Sequence, residues 1–375
     1  MVRVLHITEM LQAAGIESYI MNTYRHINRE EIQFDFLVTR NVEEYYDQEI
    51  AEMGGCKFVI DFTECSSVFL RVLKESIALE KMLKNSSYNV IHVHSGTPLR
   101  IFYLFAAKRA GVRTRIYHSH SAKVTGPHKL LHVKRAVFEM LKQFFPWCAT
   151  DYFACSELAG QWMFPRRIQD KVRIIHNGID TEKFRYNPEV EREYRKKLNL
   201  ENNFVIGHIG RFNDQKNHTF LLDIFKEVAE RNEDARLLLI GEGELEEQIK
   251  EKIHRLNLEQ KVLLLGVRRD VAQLFQVMNV FVLPSNYEGL PVVGIEAQAS
   301  GNLCLLSDQV TPETVITPNV KLLSIKSTDI WVREIEKAKF FQKTDTSELI
   351  RKHGYDIKDS VRRMEKFYKS RGKVE

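Results

Sequence analysis

Apolar and polar positions alternate along this chain in two rhythms. Compact apolar runs are followed by stretches in which apolar residues recur every three or four positions. Val2–Ile7, Phe34–Val38, Asn89–Val93, Arg113–His120, Asp151–Ser156 and Arg173–Ile175 read as strands in the first half. Phe204–Gly210, Arg236–Ile240, Val262–Leu265, Val280–Leu283 and Leu303–Leu306 read as strands in the second. Between them, helical periodicity is expected up to His26, over Lys129–Phe145, from Phe220, over Val271–Met278 and Val292–Ala299, and at the end over Tyr355–Ser370. Strand, loop, helix, strand in this order predicts doubly wound α/β domains. The polar, charged stretch Tyr186–Glu201, with Pro188 inside it, is where a connection between two domains is expected. Beyond the likeness of the two halves there is no internal repeat and no low-complexity tract.

Composition narrows the class. The chain has 375 residues, 44% of them hydrophobic, enough for two domains with cores of their own. A net charge of +5 does not imply nucleic acid as a partner. The charge is uneven: Ile101–Thr150 holds nine basic residues and one acidic, so it carries +8 and leaves −3 elsewhere. That excess suits an anionic partner, phosphates or a membrane surface, and equally a solvated helix face. Within it, Leu130, Val133, Val137, Leu141 and Phe144 mark one apolar stripe, flanked by Lys129, His132, Lys134, Arg135 and Lys142. Phe138, Phe145 and Trp147 add aromatic bulk, which fits an interfacial helix as well as a core-packed one. Five scattered cysteines suggest reduced thiols in the cytoplasm. MVRVLHITEM reads as a strand rather than a signal peptide, and no apolar run approaches a membrane span. Membrane contact, if made, is expected to be peripheral, at the inner face of the plasma membrane.

The candidate chemistry sits at strand ends. After Val280–Leu283, Pro284 stops the strand, a polar turn runs from Ser285 to Gly289, and a helix ends before Gly301. Glu288 lies in the turn and Glu296 on the helix. Two isolated glutamates are more often a helix-end residue and a solvated one. Arg211 and Lys216 follow Phe204–Gly210, with Asn217-His218-Thr219 placed to cap the next helix. Two cations beside a helix N-terminus can hold a diphosphate without a metal. Gly241 and Gly243 allow close backbone approach, and Gly266-Val267-Arg268-Arg269 forms a further loop. In the first half, Ala13-Ala14-Gly15 follows the first strand. His92 and His94 face one side of a strand, as do His118 and His120. The sequence puts no further histidine or carboxylate near His92 and His94 at ligand-like spacing, so a polar crevice lining is expected there and no metal site.

The run HIGRFNDQKN, then IGEGELEEQI from Ile240, then Glu288-Gly289-Leu290-Pro291 with Glu296 separated from Glu288 by seven residues, occur together and in this order. By these motifs the chain resembles the retaining glycosyltransferases of family four. The resemblance covers most of the chain, most closely from Ile174 to Ser307, and His176-Asn177-Gly178-Ile179-Asp180 matches the run at the exit of that family's first domain. It implies a GT-B fold: two Rossmann-like, doubly wound domains facing across a cleft. Residues 1–185 would form an acceptor-binding domain to which a helix over 355–372 crosses back, and residues 202–350 a nucleotide-sugar-binding domain. By the same resemblance, Glu296 would accept hydrogen bonds from the ribose hydroxyls, and Glu288, Gly289 and Leu290 would hold the sugar. Arg211 and Lys216 would offset the departing diphosphate, Gly241 and Gly243 would approach the donor, and Arg268 would lie near the nucleobase. Gly15 would approach the acceptor, although alanine replaces one glycine of the usual pair. His118 would lie beside the donor sugar, with His120 the competing assignment. Gly301-Asn302-Leu303 departs from the family's usual Gly-x-Pro turn.

The implied reaction is transfer of a sugar, with retention, from a nucleotide diphosphate sugar, most simply a UDP-sugar. The acceptor would be a saccharide linked to undecaprenyl diphosphate, in capsular or exopolysaccharide synthesis. No cofactor and no metal are called for. Two other readings share the architecture. A UDP-sugar 2-epimerase would need catalytic carboxylates in the first domain, where the polar loops offer few. A catalytically inactive scaffold would bind nucleotide without turnover.

Overall fold

The computed structural model describes residues 1–12, 15–121 and 131–372, with the side chain of Leu131 excluded. Ala13 and Ala14 of the first loop, and Lys129 and Leu130 of the expected basic helix, lie outside the described residues. The chain divides into two units, one of Met1–Gly178 with the segment from Ile357 onward, the other of Ile179–Asp356.

The first unit is built on a seven-stranded sheet. Its strands are β1 (Val2–Ile7), β2 (Ile32–Val38), β3 (Lys57–Val59), β4 (Val90–Ser95), β5 (Thr114–Ser119), β6 (Asp151–Ala154) and β7 (Val172–Ile174). All pairs are parallel, in the order β3-β2-β1-β4-β5-β6-β7. Alternate side chains feed two cores. Leu5, Ile7, Ile91, Val93 and Tyr117 pack against Leu79 and Leu104 of helices Val68–Lys84 and Ile101–Arg109. Val4, Phe34, Phe36, Val90, Ile116 and Phe153 pack on the other face against Ile20 and Tyr24 of helix Gly15–His26 and against Met364, Phe367 and Tyr368 of helix Ile357–Gly372. Burial on both faces explains why the central strands read as nearly unbroken apolar runs.

The second unit repeats the plan with six parallel strands: β8 (Phe204–Ile209), β9 (Ala235–Ile240), β10 (Val262–Leu264), β11 (Val280–Leu283), β12 (Leu303–Ser307) and β13 (Val320–Leu323). Their order is β10-β9-β8-β11-β12-β13. Ile206, Leu237, Leu239, Val280 and Val282 face helix His218–Arg231 and the buried Trp331, while Val205, Leu238, Phe281 and Leu283 face Ile295 and Phe275. In each sheet the strand order reverses once, between β1 and β4 and between β8 and β11. Crevices at such switch points, outside the carboxyl ends of the strands, are where ligands bind in open α/β sheets.

Several boundaries differ from the sequence expectation. The division falls at Gly178/Ile179 and Asp356/Ile357. Tyr186–Glu201 is not a free connection: Pro188–Lys197 is a helix of the second unit, with the Asn187 side chain accepting from the Glu189 and Val190 amides. None of its residues is fully buried, which is why its composition looks like a linker. The basic helix, Leu131–Lys142, also departs from the expected stripe. Phe138 and Leu141 are buried, but Val133, Val137 and Met140 are 61%, 38% and 57% exposed. Its C-terminal half docks, where Leu141 joins Phe145 and Tyr117 in the core. Lys142, on the expected polar face, is buried with its ammonium 3.7 Å from the Trp162 ring centroid.

Candidate active site

In the second unit Lys216 and Glu288 come together where β8 and β11 end side by side. β8 runs into Gly210, and the chain then makes a short turn, Asp214–Lys216, held by the Asn213 side chain accepting from the Lys216 amide at 3.2 Å. The Lys216 stem lies over Gly210, where an added Cβ would meet its Cδ and Cε at 3.0 Å. This carries the Lys216 Nζ to 2.5 Å from Glu288 Oε1. Ser285 Oγ also donates to Oε1, at 3.0 Å, and Gln215 Nε2 to Oε2, at 3.0 Å. The two loops are stitched together elsewhere as well. The Asn286 amide donates to Gln215 O at 2.8 Å, its side chain to Asp214 O at 2.7 Å, and Asn217 Nδ2 to Pro284 O at 3.2 Å.

The Lys216 and Glu288 side chains are only 14% and 8% exposed. A pair this sheltered gains little net stability over an apolar one, because desolvation offsets the attraction. Its effect is to hold a cation and a carboxylate in place at the switch point. Asn217 departs from its expected capping role: it adopts a left-handed conformation at φ 56° and its amide turns to Pro284. The Asn217 side chain therefore does not cap helix His218–Arg231, and the first N–H groups of such an end can serve an anion.

The glycines after β9 serve the chain itself. Gly241 has φ +132°, and a Cβ there would lie 2.2 Å from Gly210 O; one on Gly243 would lie 2.5 Å from Phe212 O. Close approach is the reason for both, but the approaching group is backbone of the neighbouring loop, joined by the Phe212 amide donating to Glu242 O at 2.8 Å. Arg211 is exposed and pairs with Glu244 at 3.2 Å. Arg268 is engaged in a two-pronged pair with Asp270 at 2.8 and 2.6 Å. Gly289 is half-buried and Leu290 buried in the turn beyond Glu288. Glu296 lies in the middle of helix Val292–Ala299. Burial pushes its carboxyl up to about 7, against a smaller opposing pull from Lys183. Gln215 and Ser285 were not among the sequence candidates. Ser285-Asn286-Tyr287-Glu288 carries the Ser-x-x-Glu spacing of a reciprocal cap, a signal that could have found Ser285.

In the first unit the switch point holds five imidazoles. Register pairs His6 with His92 and His94 with His118, and His120 follows directly on β5. His6 Nδ1 is 2.9 Å from His94 Nε2, His94 Nδ1 is 3.0 Å from His120 Nε2, and His92 Nε2 is 3.2 Å from His118 Nδ1. His92 Nδ1 lies 2.7 Å from the Tyr368 hydroxyl. The expectation that His92 and His94 lack suitable neighbours is corrected here. Ring nitrogens of His6, His92 and His94, and of His94, His118 and His120, lie within 4.8 Å of one another. The neighbours come from other strands, so sequence spacing does not reveal them. Burial keeps all five neutral: it lowers His6 and His120 to about 3 and the other three well below the ordinary range. His118 and His120, the competing candidates, belong to one cluster with ring centroids 4.2 Å apart. Gly15 opens helix Gly15–His26 with nothing within 4 Å of an added Cβ.

Comparison with known proteins gives the family and the fold. Residues 13–183 match the family described as Glycosyltransferase Family 4, and residues 190–346 that described as Glycosyl transferases group 1. EpsF of Bacillus subtilis (strain 168) is 33% identical over 373 residues, covering 96% of this chain and 94% of the relative. The capsular polysaccharide biosynthesis glycosyltransferase CapM of Staphylococcus aureus is 34% identical over 283 residues, 71% of this chain and 72% of CapM. The Escherichia coli UDP-Gal:alpha-D-GlcNAc-diphosphoundecaprenol alpha-1,3-galactosyltransferase is 27% identical over 318 residues, 82% and 79% of the two chains. Among solved structures, Anabaena HepE in complex with UDP and glucose superposes with a TM-score of 0.78 at 18% identity, over 99% of this chain and all of HepE. Both halves match transferase families, which favours transfer over the epimerase reading. This chain is a glycosyltransferase of family 4, with the two Rossmann-like domains of the GT-B fold.

Proposed function

We propose that the enzyme moves a hexosyl group, with retention, from a UDP-sugar to a hydroxyl of a saccharide on a polyprenyl diphosphate, in capsular or exopolysaccharide synthesis. The observation that carries the reading is the sheltered Lys216–Glu288 pair at the β8/β11 switch point, beside a helix N-terminus that the Asn217 side chain does not cap. The donor diphosphate takes Lys216 and the helix N–H groups, with Arg211 swinging from Glu244 to join them. Glu288, freed from the ammonium, turns with the Gly289 and Leu290 amides to the sugar hydroxyls. Glu296 accepts from the ribose hydroxyls. The loop of Gly266 and Arg268 borders the nucleobase through its backbone, since the Arg268 guanidinium is occupied by Asp270. His118 meets the transferred sugar, and the loop of Gly15 meets the acceptor.

The leaving phosphate takes the acceptor proton, so no side chain is needed as base. Two cations and a helix N-terminus supply the charge stabilisation, and the reaction needs no divalent metal. The acceptor class is argued from the E. coli relative, whose name specifies a diphosphoundecaprenol substrate. No helix of the described residues is long and apolar enough to cross a membrane. The exposed apolar face of helix Leu131–Lys142 brings the enzyme to an anionic bilayer that holds such an acceptor. The deciding experiment is transfer from a panel of UDP-sugars to a short-chain polyprenyl-diphosphate saccharide, with EDTA present. Lys216→Ala is expected to lower turnover about 10²- to 10³-fold, the usual loss when one preorganised donor to developing charge is removed. Unchanged turnover in Lys216→Ala, or an absolute need for added metal, removes this mechanism.

A further inference from the structure

Two chains of hydrogen-bonded rings cross the first unit's switch point, and one has a built-in direction. It runs from the Tyr368 hydroxyl to His92 Nδ1 (2.7 Å), then from His92 Nε2 to His118 Nδ1 (3.2 Å), and ends at His118 Nε2, which is buried and has no partner. Tyr368, His92 and His118 are each at most 1% exposed, so water does not compete for these atoms. A neutral imidazole carries one N–H and one bare nitrogen, so the direction of one bond fixes the next.

Two directions are open. If Tyr368 donates to His92 Nδ1, His92 is protonated at Nε2 and donates to His118 Nδ1. The His118 proton is then on Nε2. The only unsatisfied group is that N–H, buried at Nε2. If the chain runs the other way, His92 Nδ1–H donates to the phenol oxygen, and the buried Tyr368 O–H has no acceptor among the described residues. His118 Nε2 is then a bare nitrogen, also unsatisfied. The reverse direction strands two buried polar groups, the forward direction one. The other chain, His6–His94–His120, has no hydroxyl at its inner end, so this count leaves its two directions equal.

We propose that Tyr368, on the C-terminal helix, and His92 are positioning residues that lock His118 as an Nε2–H donor, ready for an oxygen of the bound sugar. The idea deepens the transfer reading, because it rests on His118 meeting the transferred sugar. It gives helix Ile357–Gly372 a role beyond covering the sheet. The same relay argues against a cation held by His94, His118 and His120, since His118 would have to give up its Nε2 proton or its bond at Nδ1 to hold one.

The test is nitrogen NMR on protein labelled in its histidine rings, with His118 assigned by its loss in His118→Gln. In the wild type, His118 is expected to show a protonated Nε2 and a bare Nδ1. Tyr368→Phe keeps the ring but removes the proton source, and the His118 signals are expected to move toward a mixture of tautomers. In the transfer assay the same variant should lose about tenfold in kcat, the weight of one hydrogen bond, with the UDP-sugar KM changed less than twofold. His118 protonated at Nδ1 in the wild type, signals unmoved in Tyr368→Phe, or stoichiometric zinc uptake lost in His118→Gln would each overturn the proposal. So would full kcat in Tyr368→Phe with the tautomer shifted. A wild type that transfers no sugar yet shows the expected tautomer removes the proposed function and the catalytic half of this inference, while the relay itself stands.

Discussion

Glu296 is a carboxyl whose state at neutral pH is set by burial, which pushes it from 4.5 up to about 7. A folded value above the unfolded one stabilises the fold fully below about 4.5, and that contribution is lost as pH rises through about 7. Glu296→Gln should therefore change the melting temperature little at pH 4 and raise it by a few degrees at pH 8.5, read by calorimetry. Nucleotide binding should depend on pH in the opposite sense, because ribose hydroxyls bond better to the carboxylate. UDP affinity measured by titration calorimetry should weaken from pH 8 to pH 6 in the wild type and stay level in Glu296→Gln. A level profile in both would detach Glu296 from the ribose. The residue scale is also where the sequence was most informative. Lys216 and Glu288 are legible because their loops are local motifs, each opened by the end of one strand. The partners of Glu288 are half legible: Ser285 by its spacing, Gln215 by nothing but adjacency to Lys216.

Helix Leu131–Lys142 shows what an apolar stripe does and does not determine. Periodicity marks a face but does not say which part of it meets the core. Val133 and Met140 are mostly exposed, and Trp147 beyond the helix is 59% exposed, on the segment with the excess of positive charge. Apolar side chains beside Lys134 and Arg135 suit the boundary between headgroups and acyl chains. The enzyme should float with vesicles rich in anionic lipid and much less with neutral ones. Val133→Asp with Met140→Asp should lower that recovery several-fold at unchanged melting temperature, since both side chains are outside the core. Equal recovery from anionic and neutral vesicles would end the membrane reading. Helix Pro188–Lys197 presents the opposite case. Asn187 and Pro188 are a recognisable N-cap and first-turn pair, yet the polar composition that follows reads as a connection. The histidine cluster was illegible for a different reason: His6, His92 and His118 meet through strand pairing, which no local pattern encodes.

The two units of the molecule differ most in how many neutral histidines they bury, and this should set their order of failure in acid. In the first unit burial lowers His6, His92, His94, His118 and His120. In the second it lowers His208, to about 4, and His218. A folded value below the unfolded one gives stability that is present above about 6.5 and lost as pH falls toward the folded value. Raised carboxyls act the other way, and the first unit has Glu17, pushed up to about 7, and Glu75. Near pH 5.5 the unfolded first unit therefore binds roughly three to four more protons than the folded one, a slope of about 4–5 kcal/mol per pH unit. In the second unit Glu296 offsets one of two histidines, leaving a slope of about 1 kcal/mol per pH unit. Against a domain stability of about 5–15 kcal/mol, one to two pH units below 6.5 removes most of what holds the first sheet and little of what holds the second. Hydrogen exchange followed by mass spectrometry should show Val90–Ser95 losing protection between pH 6 and 5 while Val280–Leu283 keeps it. Loss in both strands at one pH would mean that the imidazoles are not held neutral as their burial requires. A chain that keeps five uncharged rings at one switch point accepts this acid lability, and a purely structural sheet could have avoided it with five aliphatic side chains.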